Sequence, residues 1–167
     1  MVQRIRHPWA LPQPWVHASR NAVAAIASLE LARAFHLPEA YWASVTTIIV
    51  MESTIGAAWT VSKRRFIGTA MGAALAGLLG SYFRPGLAIF GGAIFSLGLI
   101  CALLRLDRSA YRFAGVTLAI VFLVPREVAP WLIALHRFAE VSLGIAVGLI
   151  FAALWPGREP AGRKSPR

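Results

Sequence analysis

Apolar residues occur along this chain in six long runs, which are separated by short breaks rich in charged residues, proline and glycine. The runs cover residues 18–35, 41–57, 66–83, 87–104, 112–124 and 131–155. About 20 apolar residues in a helix cross the hydrocarbon core of a bilayer. The pattern therefore predicts an all-α, polytopic transmembrane helical bundle of about six spans. The first run contains polar residues and the fifth is short, so fewer than six full crossings is the alternative.

Composition supports the membrane assignment. Hydrophobic residues make up 57% of the 167 positions and charged residues 14%, whereas soluble domains average about 45–50% and about 25%. Six spans leave no room for a separate catalytic domain. We predict a cytoplasmic N-terminal tail at 1–17, a transmembrane domain at 18–156 and a basic cytoplasmic C-terminal tail at 157–167.

The positive charge of the chain is unevenly distributed. There are 17 Lys and Arg residues against 7 Asp and Glu, a formal net charge of +10, and most of the basic residues follow alternate predicted helix ends. Cytoplasmic loops of membrane proteins carry such an excess. We predict a multi-pass protein of a bacterial-type inner membrane with both termini cytoplasmic. The charge then marks orientation and contact with the lipid bilayer, and nucleic acid is not an expected partner.

A weak internal similarity links the two halves of the chain. Residues 43–50 align with residues 114–121, where Ala, Val, Thr, Ile and Val coincide, and a nearly equal shift aligns Arg65 with Arg137 and Gly72 with Gly144. A repeat with an offset of three spans would make two inverted three-helix repeats, an architecture of membrane transporters. The alternative is a chance match between helices of similar composition.

Small residues recur at helical spacing in the third and sixth runs. They allow two helices to approach closely in a membrane, and the candidates for helix packing are Gly68, Gly72, Gly77, Gly144 and Gly148. Such a face either packs inside one chain or forms a dimer.

Charged residues inside a span are costly and are candidates for function. Glu52 lies in the second run, where it could be a protonatable coupling group near mid-membrane; alternatively, that span ends early and Glu52 lies at the interface. Arg65 precedes the third run, and its planar guanidinium is suited to binding a carboxylate. The simpler interpretation is an arginine at the membrane interface whose charged end extends to the lipid headgroups.

Two further acid–base pairs have a spacing of three residues, which places their members on one helix face. They are Glu30 with Arg33 in the first run and Arg137 with Glu140 in the sixth. Each pair could form an ion pair within its own helix. Alternatively, the two pairs could join in a network across the first and sixth spans, or they could line the entrance of a substrate path.

No enzymatic or metal-binding motif is present in the sequence. Cys101 is the single cysteine, and His17 and His136 have no second ligand at metal spacing. Phosphate-binding loops and the signatures of hydrolases are missing as well. We expect no enzyme activity, no cofactor and no metal.

Three segments carry a resemblance to a known family. Residues 41–46, residues 52–56 and the Arg-x-x-Gly-Thr-x-x-Gly pattern at 65–72 resemble the membrane domain of the fusaric acid resistance and aromatic acid exporter group. The resemblance implies an inner-membrane exporter of aromatic or other small amphipathic carboxylic acids that runs on the proton gradient. The positions that carry over are Trp42, Glu52, Arg65, Gly68, Thr69 and Gly72.

Two functions follow from these observations. The first is a homo-oligomeric exporter of a small organic anion, in which Arg65 attracts the anion, Glu52 takes part in coupling, and Trp42 and Thr69 complete the site. Full-length exporters of this group pair two membrane domains, which is the reason to expect an oligomer here. The alternative is a non-transporting membrane subunit or scaffold that docks a partner through its small-residue helix faces.

Overall fold

Six α-helices and no β-strand occur in the residues that the computed structural model describes, which are 13–52, 54–124 and 127–155. The helices are α1 (Gln13–Ala34), α2 (Tyr41–Val50), α3 (Ile55–Tyr82), α4 (Leu87–Leu103), α5 (Arg108–Leu123) and α6 (Pro130–Leu154). The predicted all-α class is confirmed. The rest of both predicted tails lies outside the described residues, whereas residues 13–17, which the prediction assigned to the N-terminal tail, belong to α1.

The boundary between the second and third helices differs from the prediction. Helix α2 ends at Val50, and α3 begins at Ile55. Thr54 adopts an extended conformation and its side chain accepts a hydrogen bond from the backbone N–H of Ala57, so it caps the start of α3. The predicted second span was therefore too long and the third too short. The basic residues at 63–65, which were expected in the break, lie inside α3.

Helix lengths vary widely as a result. Helix α3 has 28 residues, or about 42 Å at 1.5 Å per residue, whereas α2 has 10 residues, or about 15 Å. By length and composition alone, α6 is the one helix in the described ranges that is long and apolar enough to cross a membrane; α2 and α4 are shorter apolar helices. Among the described helices, the shortest is thus α2, and not the fifth, which had the shortest apolar run in the sequence.

Helices α3 and α6 pack side by side in opposite directions at the centre of the bundle. Ala58, at the start of α3, belongs to the same apolar cluster as Ala152, at the end of α6. Gly77, near the end of α3, faces Ala134 in the first turns of α6. Helix α5 packs along α3, α2 packs along α6, and α4 and α1 lie against α5 and α2, respectively.

Glycines make the two main helix contacts close. Gly72 of α3 lies against the backbone of Ala114 in α5, and Gly144 of α6 lies against the backbone of Ala43 in α2, so that a Cβ at either glycine would collide with a carbonyl oxygen. In the same two interfaces, Gly68 lies against the backbone of Ala110 in α5, and Gly148 lies against the side chain of Val50 in α2. These glycines pack inside the chain, because only hydrogen fits between the paired backbones.

The bundle exposes many large apolar side chains and buries several polar and charged ones beside its apolar core. Large apolar side chains point outward on every helix; on α4, for example, Leu87 is 91% exposed and Phe95 is 75% exposed. The buried polar and charged side chains are Arg20, Ser28, Thr46, Thr47, Ser62, Arg65, Thr69, Thr117, Arg137 and Glu140. An apolar outer surface of this extent marks contact with lipid or protein. Four of the buried polar residues, Arg65, Thr69, Thr117 and Arg137, line the candidate site.

Candidate functional site

A small cavity lies where α2, α3, α5 and α6 meet. Its volume is about 20 Å³, which is space for about one water molecule. It is lined by Trp42, Arg65, Thr69, Phe113, Val116, Thr117, Ile120, Arg137 and Val141. Three of the four predicted substrate residues, Trp42, Arg65 and Thr69, therefore line one cavity, and Arg137 lies in the same wall.

Arg65 enters this cavity from the first half of α3. Its side chain is buried, with 7% of the residue exposed. Its Nε and Nη2 atoms donate to the Thr46 hydroxyl at 3.2 and 3.0 Å, and its guanidinium carbon lies 5.0 Å from the centre of the Phe113 ring. Among the described residues, no carboxylate forms an ion pair with Arg65. Its charge is offset only by a hydroxyl and the face of a ring.

Arg137 enters from α6 and has a different set of partners. Its guanidinium carbon lies 3.9 Å from the centre of the Trp42 ring. Its Nη2 lies 3.3 Å from Glu39 Oε2, and its Nη1 lies 3.7 Å from Glu140 Oε2. The predicted Arg137–Glu140 pair thus forms within α6, and Glu39 from the linker before α2 joins it.

The two carboxylates of this cluster are themselves held in place. Glu140 Oε1 accepts a hydrogen bond from the backbone N–H of Glu39 at 2.9 Å, and the Tyr41 hydroxyl donates to Glu39 Oε1 at 2.9 Å. Glu39 was missed at the sequence level. Its one signal was its position in the break before α2, at the same predicted membrane face as Glu140.

The predicted pair on α1 lies apart from the cavity. Glu30 and Arg33 form an ion pair at 2.7 Å with about three fifths of each side chain exposed. This pair does not join Arg137 and Glu140, so the network across the first and sixth spans does not form. Exposed pairs of this kind contribute less than about 1 kcal/mol.

Glu52 also lies outside the cavity. It occupies the linker between α2 and α3, and its backbone carbonyl accepts a hydrogen bond from Arg20 Nη2 at 2.9 Å. Arg20 is 2% exposed and also donates to the carbonyl of Trp155 at the end of α6. The linker thus lies at the end of the bundle where α1 begins and α6 ends, and not partway along a helix as the predicted span implied. From the sequence, Arg20 was counted only among the basic residues that predict the orientation of the chain in the membrane.

A second, larger concave surface lies between α3 and α6. It is an open groove of about 600 Å³ that includes Ala70, Ala73, Ala74 and Gly77 of α3 and Trp131 and Leu135 of α6. None of its lining side chains is charged. Gly77, which was predicted as a packing residue, lies both in this groove and against Ala134.

The described part of the chain contains no group of three or more histidine, cysteine, aspartate or glutamate side chains that could hold a metal ion. Cys101 is buried and carries a free thiol. The cavity chemistry is therefore that of two guanidinium groups, three hydroxyl-bearing threonines nearby and two aromatic rings. Guanidinium and hydroxyl groups are donors that recognise carboxylates.

Comparison with known proteins finds relatives that are named as an inner membrane protein and a transporter. The inner membrane protein YeeA of Escherichia coli K12 is 31% identical over 154 residues, which are 86% of this chain and 41% of YeeA. The uncharacterized transporter YdhK of Salmonella typhimurium is 30% identical over 162 residues, 89% of this chain and 24% of YdhK. The chain thus spans less than half the length of these relatives. No solved structure matches it.

A family match covers most of the bundle. Residues 23–151, from the middle of α1 to the last turn of α6, match the family described as fusaric acid resistance protein-like. This range contains both arginines of the cavity and all five packing glycines. The chain therefore belongs to the fusaric acid resistance protein-like family of membrane transporter-like proteins.

Proposed function

We propose that this protein is a multi-pass inner-membrane exporter of aromatic or other small amphipathic carboxylic acids. The observation that carries the proposal is the buried guanidinium of Arg65, which has no carboxylate partner among the described residues. Burying an uncompensated charge is costly, so a structural role gives no reason to keep one there. A substrate carboxylate would supply the missing negative charge.

The rings beside the two arginines favour an amphipathic substrate. Phe113 and Trp42 each lie under a guanidinium at the cavity wall. An acid with a flat apolar body would place its carboxylate at Arg65 and its body against these rings. The cavity in this structure holds about one water molecule. Binding an aromatic acid therefore requires the helices around the cavity to move apart.

Several features support a bundle that crosses the membrane more than once. The outer faces of the helices are apolar, and contacts between their ends indicate that successive helices alternate in direction. Arg20 near the start of α1 contacts Trp155 after α6, which favours both termini on one side. The excess of basic residues predicts that this side is the cytoplasm.

The proposed inverted repeat is supported by matching contacts in the two halves. Gly72 meets Ala114 as Gly144 meets Ala43. Similarly, Arg65 lies over Phe113 as Arg137 lies over Trp42. In each case the partners come from α3 with α5 and from α6 with α2, which are the pairs that the sequence alignment equates. Inverted repeats place the substrate path at their interface, where the cavity lies.

The proposal is tested by transport through the purified protein. In proteoliposomes loaded with labelled benzoate, Arg65→Ala should reduce efflux by at least about tenfold, because a charge-assisted contact is worth about 1.5–3 kcal/mol. Arg64→Ala is the matched control, since Arg64 is adjacent in sequence but pairs with Asp107 at a half-exposed site. Equal efflux from wild type and Arg65→Ala would contradict the role of Arg65.

A homo-oligomer is part of the proposal and is supported by the groove between α3 and α6. Its uncharged, small-residue lining is typical of surfaces on which another helix packs. The same groove favours the second candidate function, a non-transporting subunit or scaffold. The two differ in one measurement: the exporter moves benzoate when it is the only protein in the liposome, whereas the scaffold does not.

A further inference from the structure

The cavity lies close to the outer surface of the bundle at one of its walls. Val116 of α5 lines the cavity and is 54% exposed, whereas Thr69 and Thr117, which line it as well, are 2% and 4% exposed. A side chain that lines a cavity and is also half exposed forms a wall one residue thick. At this wall, Val116 therefore separates the cavity from the outside of the protein.

Two helices flank the cavity at this wall without packing against each other. Trp42 comes from α2, and Phe113, Val116 and Ile120 come from α5. Helix α2 packs against α1, α3 and α6, and α5 packs against α3, α4 and α6, but in the described part of the chain no contact joins α2 to α5. We name the gap between these two helices, bounded by those four side chains, the window.

The other sides of the cavity are closed by tight packing. Gly72 holds α3 against the backbone of α5, and Gly144 holds α6 against the backbone of α2. Helices α3 and α6 also pack along each other. Opening any of these interfaces separates packed helices, whereas moving α2 away from α5 breaks no contact between them. The window is therefore the side on which the cavity opens with the smallest loss of packing.

Apolar side chains surround the window on the outer surface. Val116 is exposed on α5, and Val45 and Ile49 are each 36% exposed on α2. Ile49 follows Trp42 by about two helical turns, so the two lie on the same face of α2. In a protein of the membrane, exposed apolar helix faces contact acyl chains. The window therefore opens toward lipid and not toward water.

A basic residue lies at one end of the window. Arg112 of α5 is exposed, and it comes one helical turn before Val116, so the two share a helix face. Arg112 also directly precedes Phe113, whose ring centre lies 5.0 Å from the guanidinium carbon of Arg65. It belongs to the end of α5 that the basic residues predict to be cytoplasmic. The chain thus leads from an exposed arginine to the buried one by way of a single aromatic residue.

We propose that amphipathic carboxylic acids reach Arg65 sideways from the lipid bilayer, through the window between α2 and α5, and that Val116 determines which acids pass. The inference rests on the proposed function, because it concerns the route to the anion site at Arg65. It adds the source of the substrate, which is the leaflet next to the cytoplasm, and a residue that selects substrates by size.

An amphipathic acid in a leaflet has the orientation that this route requires. Its carboxylate stays at the level of the headgroups, and its apolar body lies among the acyl chains. Arg112 is then close to the carboxylate, and the window is close to the apolar body. The carboxylate moves from Arg112 to Arg65 while the body passes between Trp42 and Phe113. The acid thus enters the cavity without first returning to bulk water.

The route is tested by labelling a thiol inside the cavity. The full chain with Thr69→Cys, and with its single native cysteine removed by Cys101→Ala, is reconstituted into liposomes of phosphatidylethanolamine and phosphatidylglycerol. Uncharged N-cyclohexylmaleimide or a sulfonated maleimide is present on both sides. Relative to the same reagents at Asp107→Cys, an exposed loop position, the uncharged reagent should react at least about tenfold faster, because a charge in the hydrocarbon region is costly.

Substitutions at the window then locate the entry point. Val116→Trp should slow labelling by the uncharged reagent at least about tenfold, because a large ring fills the gap between α2 and α5, and Val116→Ala should speed it. Leu99→Trp is the matched control, since Leu99 of α4 is also 54% exposed and does not line the cavity. Thr117→Cys, on the α5 wall, replaces Thr69→Cys if the latter does not fold. Equal or faster labelling by the sulfonated reagent, no labelling by either reagent, or a rate that Val116→Trp leaves unchanged overturns the window.

Transport of two acids of different width tests selection by Val116. In proteoliposomes, Val116→Trp should lower the efflux of 1-naphthoate at least about tenfold more than that of benzoate, because a narrowed opening discriminates by size. Leu99→Trp should leave the ratio of the two effluxes unchanged. An equal reduction for both acids in Val116→Trp overturns the assignment of size selection to this residue.

The outcomes separate this inference from the proposed function, because labelling of the thiol does not depend on anion binding. Efflux of benzoate that requires Arg65, together with a thiol that the sulfonated reagent labels as fast, leaves the anion site standing and overturns the window. Labelling through the window, together with equal benzoate efflux from wild type and Arg65→Ala, leaves the opening toward lipid standing. That result overturns the anion site, and with it the role of the route.

Discussion

Arg65 and Arg137 occupy matching places in the two halves of the bundle, yet their surroundings differ. Each is buried, each lies over an aromatic ring, and both line one cavity. Arg137 has two carboxylates within 4 Å, whereas Arg65 has one threonine hydroxyl. The positive charge of Arg137 is thus neutralised by carboxylates, whereas the positive charge of Arg65 has no carboxylate partner among the described residues. The difference is consistent with a packing role for Arg137 and supports the proposed role of Arg65 in anion recognition.

The largest expected difference between the two arginines is in their contributions to the free energy of unfolding. Removing one partner from a buried ion pair costs about 3–5 kcal/mol, so Arg137→Ala should lower the free energy of unfolding by that amount. It leaves Glu140 buried without its cation. Arg65→Ala should cost less than about half as much, since it also relieves repulsion between the arginines. Reversible unfolding in mixed micelles measures both, and equal losses would remove the distinction.

Substitution of the matching glycines Gly72 and Gly144 tests whether the two halves of the bundle are equivalent. Gly72→Ala and Gly144→Ala each push a methyl group into a facing carbonyl, and overpacking of this kind costs about 1–3 kcal/mol. Two similar losses would support the repeat, and a loss in only one would argue that the contacts are not equivalent. Gly91→Ala is the control. No atom lies near its Cβ position, and alanine is a better helix former by about 1 kcal/mol.

The smallest expected effect concerns the threonines beside the two arginines. Thr46 accepts two hydrogen bonds from Arg65, whereas its counterpart in the alignment, Thr117, lines the cavity without a hydrogen bond to either arginine. Thr46→Val should weaken benzoate binding by about three- to tenfold, because Arg65 loses the group that orients it. Thr117→Val should change it by less than about twofold. Titration by calorimetry compares the two, and equal effects would show that Thr46 does not position Arg65.

Much of this architecture could be predicted from hydrophobic periodicity. The six helices follow the six apolar runs, and Trp42, Arg65 and Thr69, taken from the resemblance, do line one cavity. The break between α2 and α3 was misplaced because Met51 to Thr54 contains no proline or glycine, whereas the basic residues at 63–65 look like a loop. A capping threonine is a weaker signal of a helix start than three adjacent positive charges are of a loop. The burial of Arg65 against Thr46 could not be predicted locally, because Thr46 belongs to a different helix.

The partners of the charged residues could not be predicted in the same way. Glu140 and Arg137 are close in sequence, so their pairing follows from helical spacing. Glu39 and Phe113 are far from the arginines that they contact, and no local pattern relates them. Glu52 looked like the coupling acid because it interrupts an apolar run, yet it lies in the linker between α2 and α3 and does not line the cavity.

Composition and local spacing were enough to predict the helical class and the candidate packing glycines, whereas the need for glycine at Gly72 and Gly144 comes from the backbones that face them in the packed bundle. The tertiary structure alone decided which charges are neutralised. That depends on distances of 3 to 4 Å between helices that are distant in the chain, and electrostatic interactions in a buried site change steeply over such distances. The contrast between Arg65 and Arg137 is therefore a property of the packed bundle.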